Sequence, residues 1–524
     1  MRKTIDQPAL CLDVPKTCQL DELIKTLEPK NRWGEVQSRN GRVTWLDTFD
    51  WRLFGAGYVL EAIQYTNDTV LVWRNLGYDK ILARTLIKNI PKSHADLTAS
   101  GGFRQLQKIV NPRALLPVLN AELNLKRISL LNDSNQPAVI IDLFKLSVKD
   151  GRKGIAIRPG LLVSCTHGNV KMFMTVANQL EERDDFDIRL IDPIIEGLAH
   201  IKRRPLDYTN NCQLQISPLA HADSACKQIL RRLMEVIETN INGIKRDIDS
   251  EFLHDFRVAI RRSRALLTQI KHIYPPDAVK RYRDAFSELA QSSNELRDLD
   301  VHLLEFSNYE SYIPANKRDA LGPLKVYLKK KRIEAFKDLG ITLNSKDILR
   351  LLKSWQVFLD VDPPEYSTLK NAKRPIIEIA SNQIWKLSQR FIHDCSLIQA
   401  DSPGPALHTL RITGKKLRYV LEFFRYLYPG EQIGPFISDM KDFQNYLGEF
   451  QDLNVQQLSM ANFEQALIEQ GNVKPVTINA IELLREGLHD RQTRIRSEFP
   501  AYYKRFYKRF GKKRMRKVLG VGNT

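Results

Sequence analysis

The sequence predicts an α+β domain built on an antiparallel sheet, followed by an all-α domain in which one helical unit occurs twice. Three observations carry that expectation. Short runs of β-branched and aromatic residues, separated by Gly, Asn and Asp, fill the first 200 positions. From about Leu219 the apolar residues recur at three and four instead. Within that second part a basic segment, LHDFRVAIRRSR, returns in altered form as LHTLRITGKKLR.

The elements follow in order. RVTWLDTFD (42–50), GYVLEAIQY (57–65), TVLVWRN (69–75) and PAVIIDLFKLSV (137–148) read as strands. KGIAIRPGLLVSCTHGN (153–169) reads as two more around a Pro-Gly turn. Helical spacing appears at 20–27 and 170–183. These place an N-terminal domain over 1–205, a linker over 206–218 and a helical domain over 219–524. The repeat covers about 225–345 and 375–505.

The 524 residues carry a formal charge of +19. Residues 1–200 hold 27 Lys and Arg against 23 Asp and Glu, whereas the rest hold 53 against 38. The excess therefore belongs to the helical part and favours an anionic partner. Six cysteines (11, 18, 165, 212, 226 and 395) show neither C-x-x-C pairing nor zinc spacing. The N-terminus lacks the apolar run of a signal peptide, and no stretch is apolar enough to span a bilayer. A cytoplasmic protein without membrane insertion is the expectation.

The repeat is read at an offset of 154, from Leu253 to Leu407 (407 − 253). Leu, His, Arg, Arg, Leu, Tyr and Pro recur in register, and the same offset carries ELRDLDV (295–301) onto EFQDLNV (449–455). At 100° per residue His254, Arg257, Arg261 and Arg264 form one stripe, as do His408, Arg411, Lys415 and Arg418. An apolar stripe about 90° away must be buried: Leu253, Phe256, Ile260, Leu267 and Ile270 in the first copy, and Leu407, Leu410, Leu417, Leu421 and Phe424 in the second. The basic stripes should therefore edge a packed seam. Arg262, Lys416, Lys271 and Arg425 add to them, and only Asp298, Asp300 and Asp452 offer counter-charge. Such a surplus argues for an external polyanion, since arginine forks and lysine charges suit phosphate oxygens. Both histidines sit near the expected helix starts, where a capping role is reasonable. Asp298 and Asp452 read as arginine-orienting or capping groups rather than metal ligands.

These segments resemble the paired H-x-x-R-V-x-x-[RK]-[RK]-x-R signatures of CHAD domains, the conserved-histidine α-helical domains. The resemblance implies two pseudo-symmetric four-helix bundles and inorganic polyphosphate bound in a basic channel. It then implies His254, Arg257, Arg261, Arg262, Arg264, His408, Arg411, Lys415, Lys416, Arg418 and Arg425 as phosphate contacts, with Asp298 and Asp452 supporting them, and RDLDV as a turn element. Gly414, inside the second signature, weakens helix propensity there.

TWLDTFDWRLFGAGYVLE (44–61) resembles a segment of CYTH domains, the triphosphate-tunnel barrels, and implies a CYTH-like antiparallel barrel. In that family an E-x-E-x-K strand begins the metal-binding set. Here ALCLDVPK (9–16) has one acid, Asp13, while Glu61 stands where an arginine is expected and LLVSCTHG (161–168) has no acid. Arg74 and Arg127 remain as basic lining. Without hard oxygen ligands the barrel is expected to be non-catalytic, with no metal or cofactor.

The expected function is therefore polyphosphate binding without catalysis, as a scaffold or targeting protein associated with polyphosphate granules. Two rivals are a metal-dependent triphosphatase with substituted acids and a nucleic-acid binder. The basic, aromatic tail YKRFYKRFGKKRMRKVLG (503–520) could extend a polyanion surface or be solvated.

Overall fold

The computed structural model describes residues 7–27, 32–99, 101–150, 153–166, 168–210, 214–363, 365–399, 402–471 and 473–520. Two compact units divide between Thr209 and Asn210. Residues 211–213 of the expected linker, with Cys212, lie outside the described residues. The other five cysteines are free thiols.

The first unit is an antiparallel barrel. Its strands are β1 (Gln7–Asp13), β2 (Gln37–Asp47), β3 (Tyr58–Tyr65), β4 (Thr69–Asn75), β5 (Lys80–Ile87), β6 (Leu116–Leu131), β7 (Pro137–Asp150), β8 (Lys153–Ala156), β9 (Gly160–Cys165) and β10 (Asp187–Ile188). The order runs β1-β5-β4-β3-β2-β6-β7, and β9 pairs with both β7 and β1. That double pairing closes an eight-stranded ring and removes its exposed edges. Alternate residues point inward, as the pleat requires: Glu61, Ile63 and Tyr65 from β3, Leu123, Leu125 and Arg127 from β6, and Asp142, Phe144 and Leu146 from β7.

Among the described residues five α-helices accompany the barrel: α1 (Leu20–Thr26), α2 (Arg52–Gly55), α3 (Arg104–Val110), α4 (Val170–Glu181) and α5 (Pro193–His200). Leu20, Leu23, Phe173, Val176 and Leu180 of α1 and α4 bury one outer face with Val139, Ile141 and Val163. The TFD segment at the end of the expected first strand is not extended. Asp47 instead accepts the backbone N–H groups of Leu53 and Phe54 at 3.0 and 2.9 Å and so orders the short helix α2.

The second unit is all helical. Its first half contains α6 (Ala222–Lys245), α7 (Ser250–Gln269), α8 (Pro276–Gln291), α9 (Asn294–Leu304), α10 (Phe306–Ser311), α11 (Gly322–Asn344) and α12 (Lys346–Asp360). Its second half contains α13 (Ile376–Ser396), α14 (Gly404–Phe423), α15 (Gly430–Glu469), α16 (Pro475–Phe510) and α17 (Lys512–Leu519). Both bounds of α14 lie 154 residues beyond those of α7 (404 − 250 and 423 − 269). Each half packs four helices in sequence: α6, α7, the α8–α9 pair and α11, then α13, α14, α15 and α16. The bundles meet where α7 packs on α14.

The copies differ where the first one breaks. Ser292 and Ser293 turn their hydroxyls back onto the carbonyls of Leu289 and Ala290, at 3.0 and 2.9 Å, and separate α8 from α9. Tyr446 and Leu447 occupy the equivalent positions, and α15 runs through unbroken. RDLDV is consequently helical in α9, and its counterpart lies inside α15; neither is the turn that the resemblance implied. Gly414 is explained by packing. A Cβ there would lie 2.9 Å from the Phe391 ring and collide with Gln444, so the missing side chain lets α14 approach α13 and α15.

Candidate functional site

The site grows from α7 and α14. Asp249 caps α7, accepting from the N–H groups of Glu251 and Phe252 at 2.9 and 3.3 Å. His254 is therefore one turn inside the helix, as is His408 in α14, and neither caps. His408 instead meets the Gln451 amide oxygen through Nδ1, at 3.2 Å. Both apolar stripes are buried as their spacing requires. Beside them Arg257, Arg264, Arg411, Lys415 and Arg418 are half-buried, and Arg261 is exposed.

The stripes converge. Arg261 of the first copy is close enough to depress the pKa of both Arg411 and Lys415 of the second. Burial is the larger cause, and at Lys415, with Arg411 next and Arg261 adding to it, it brings the ammonium down to about 7. Arg257, Arg261 and Arg264 also line a cavity of about 280 Å³ with Ser287, Gln291 and Asn294. Buried Nε–H groups of Arg264 and Arg411 have no hydrogen-bond partner, while that of Arg418 has only the Glu422 carboxylate at 3.4 Å. Unpartnered guanidinium donors beside a depressed lysine form a site short of negative charge.

The other expected contacts divide into different roles. Arg257 is a clamp: it donates to Ala290 O at 2.7 Å, Ser293 Oγ at 2.6 Å and Asn294 Oδ1 at 2.8 Å, binding α7 to the α8–α9 junction. Burial lowers its pKa to about 10, opposed by Asp298, so it stays charged. Arg262 is already neutralised by Glu422 at 2.8 Å and by the carbonyl of Asn210 at 2.9 Å. Glu422 also lies 3.4 Å from Arg418. Arg425 sits past the last residue of α14, with its guanidinium 5.1 Å from the Tyr426 ring centre. Lys416 faces a separate cavity. Asp452 meets Arg411 at 3.4 Å, whereas Asp300 faces away and pairs with Arg332 at 2.7 Å.

Glu422, Ser293 and Asn294 were missed in the sequence. Glu422 lies four residues after Arg418, a spacing that flags an ion pair. Its reach to Arg262 across 160 residues has no local signal.

Residues 228–461 match the CHAD domain family model. This part of the chain is a CHAD domain. The CHAD domain structure from the plant Ricinus communis is 23% identical, covering 60% of this chain and 96% of its own, at a TM-score of 0.46. PptA from Streptomyces chartreusis is 14% identical, covering 54% and 99%, at 0.41. HpAC1 from Hippeastrum, described with a dominant triphosphatase activity, is 13% identical, covering 39% and 100%, at 0.26. No curated protein matches the chain. Outside the CHAD domain, and among the described residues, no helix is long and apolar enough to cross a membrane; the same holds within it.

The barrel interior is chemically different from the CHAD seam. Glu61 points inward and accepts Arg74 Nε at 2.9 Å, Trp45 Nε1 at 3.0 Å and Tyr78 OH at 3.1 Å. The far side of the Arg74 guanidinium is held by Asp192, which is also the N-cap of α5. Arg74 is fully buried; desolvation opposes its charge, but the two carboxylates outweigh it and hold the guanidinium above its ordinary pKa. Arg127 is bound in fork geometry by Asp142, at 2.6 and 2.7 Å. Asp13 pairs with Arg189. The remaining cavity is about 60 Å³, room for a few waters and well below the ~300–1,000 Å³ of ligand clefts.

A divalent metal does not fit this donor set. Glu61, Asp142 and Asp13 are each neutralised by an arginine. Among the described residues no three His, Cys, Asp or Glu side chains form a cation cluster.

Proposed function

We propose that the CHAD domain binds inorganic polyphosphate along the seam between its two basic stripes and does not cleave it. The observation that carries this is the convergence of Arg261 on Arg411 and Lys415, where burial and mutual repulsion leave cations in want of an anion. A linear chain of phosphates supplies charge at short, regular intervals, matching cations spaced at helical turns. The barrel serves as a structural companion, its interior closed by Glu61, Arg74 and Asp192. A scaffold or targeting role at polyphosphate granules, in the cytoplasm, is consistent with binding that leaves the polymer intact.

The test titrates the protein with long-chain polyphosphate and with single-stranded RNA at matched salt, and assays phosphate release from tripolyphosphate with Mg²⁺ or Mn²⁺. Tighter binding of polyphosphate without phosphate release is expected. Tighter binding of RNA would favour a nucleic-acid interface, and metal-dependent release would favour a triphosphatase.

The pH dependence has a definite sign. The Lys415 ammonium loses its proton near 7 in the free protein, and a bound polyanion raises that pKa. Binding therefore takes up a proton around neutrality, and affinity falls as pH rises from about 6 to about 8. Lys415→Arg, charged throughout, should flatten that slope in titrations across this range.

A further inference from the structure

At two pairs of equivalent positions the copies differ in how a cation is answered, and a cavity lies on the unanswered side. At the offset of 154, Lys416 corresponds to Arg262 and Glu422 to Thr268 (416 − 262 and 422 − 268). On one side of the pseudo-two-fold relation Arg262 is closed off by Glu422 at 2.8 Å. On the other, Lys416 faces Thr268, which has no charge to offer. There the structure has a cavity of about 470 Å³, within the ~300–1,000 Å³ of small-molecule clefts.

Five cations line it: Lys271, Arg374, Lys386, Arg390 and Lys416. Two carboxylates answer them. Glu378 pairs with Arg374 at 2.9 Å, and Asp394 lies 3.7 Å from Arg390 while accepting the Thr413 hydroxyl at 3.1 Å. Among the described residues no carboxylate pairs with Lys271, Lys386 or Lys416. Three unopposed ammonium groups around a cleft that size suit a compact anion with several charges.

We propose that this pocket between the end of α7, α13 and α14 is a second anion site that takes a short oligophosphate group of two or three phosphates, distinct from the seam. Free oligophosphate and the terminus of a longer chain present the same chemistry, and chains of different length separate them. The asymmetry has a simple origin: the repeat kept a cation at both positions and an acid at only one.

The full-length chain is titrated calorimetrically with tripolyphosphate and separately with long-chain polyphosphate. Thr268→Glu places in the first copy the acid that Glu422 provides in the second, and should bind Lys416 and close the pocket. Tripolyphosphate affinity is expected to fall at least ~10-fold in Thr268→Glu, and similarly in Lys386→Ala with Lys416→Ala. A weaker long-chain affinity in the same variants assigns the pocket to chain ends; an unchanged one assigns it to free oligophosphate. Wild-type affinity for tripolyphosphate in the two lysine substitutions would overturn the site. Loss of long-chain binding by the wild type, with tripolyphosphate binding still sensitive to these positions, would overturn the polyphosphate reading of the seam and leave this one standing.

Discussion

If the seam binds polyphosphate as proposed, replacing Arg261 and Lys415 together with alanine should lower the affinity for the long chain by about 100-fold, since each charge-assisted contact is worth ~1.5 kcal/mol. Arg261 and Lys415 are the informative pair because neither side chain holds the helices together. Arg257 would be a poor choice: its three hydrogen bonds bind α7 to the α8–α9 junction, and its loss would confuse binding with folding. The double variant should also reduce the slope of log affinity against log salt by ~1.4, two phosphate contacts at ~0.7 each. Lys508→Ala with Lys513→Ala, two cations of the basic tail, should cost less. Titration at three or four salt concentrations measures both quantities. Equal losses from the seam and the tail would mean that net charge, and not the converged stripes, captures the polymer.

Arg74→Met in the barrel should cost ~3–5 kcal/mol of stability, since it leaves Glu61 and Asp192 buried without their cation. The sign of its pH dependence is diagnostic. In the wild type burial opposes the Asp192 charge, but Arg74 overrides it and holds the carboxyl below its ordinary pKa. That stability is present above the unfolded carboxylate range and lost as pH falls through the folded value. Without Arg74 burial alone acts on the Asp192 carboxyl and pushes it above its ordinary range, so the variant should gain stability as pH falls from 7 toward 5. Denaturation followed by the barrel tryptophans Trp45, Trp51 and Trp73 would show it. A loss below about 1 kcal/mol would mean that the triad is not the plug described above.

The basic stripes were legible because helix periodicity turns spacing into a face, and because the second copy repeated the first in register. The strands were legible because β-branched runs alternate with turn residues. The place of Arg257 in the stripe was legible, but its bonds to Ala290, Ser293 and Asn294 across the α8–α9 junction were not, because they depend on the break at Ser292 and Ser293. Glu61 looked like a lost clamp residue. Its meaning came from Arg74, 13 positions away on the neighbouring strand, and from Asp192, 118 positions from Arg74.

By itself, then, the sequence determined the two grammars, the repeat, the buried stripes and the excess of positive charge, all of which depend on local periodicity and composition. Only the tertiary structure decided which cations are free. Arg262 and Lys416 are equivalent in the repeat, but one meets Glu422 and the other an open cavity. Ion pairing depends on a few ångströms between side chains far apart in the chain, and charge falls off too steeply with distance for spacing alone to assign it.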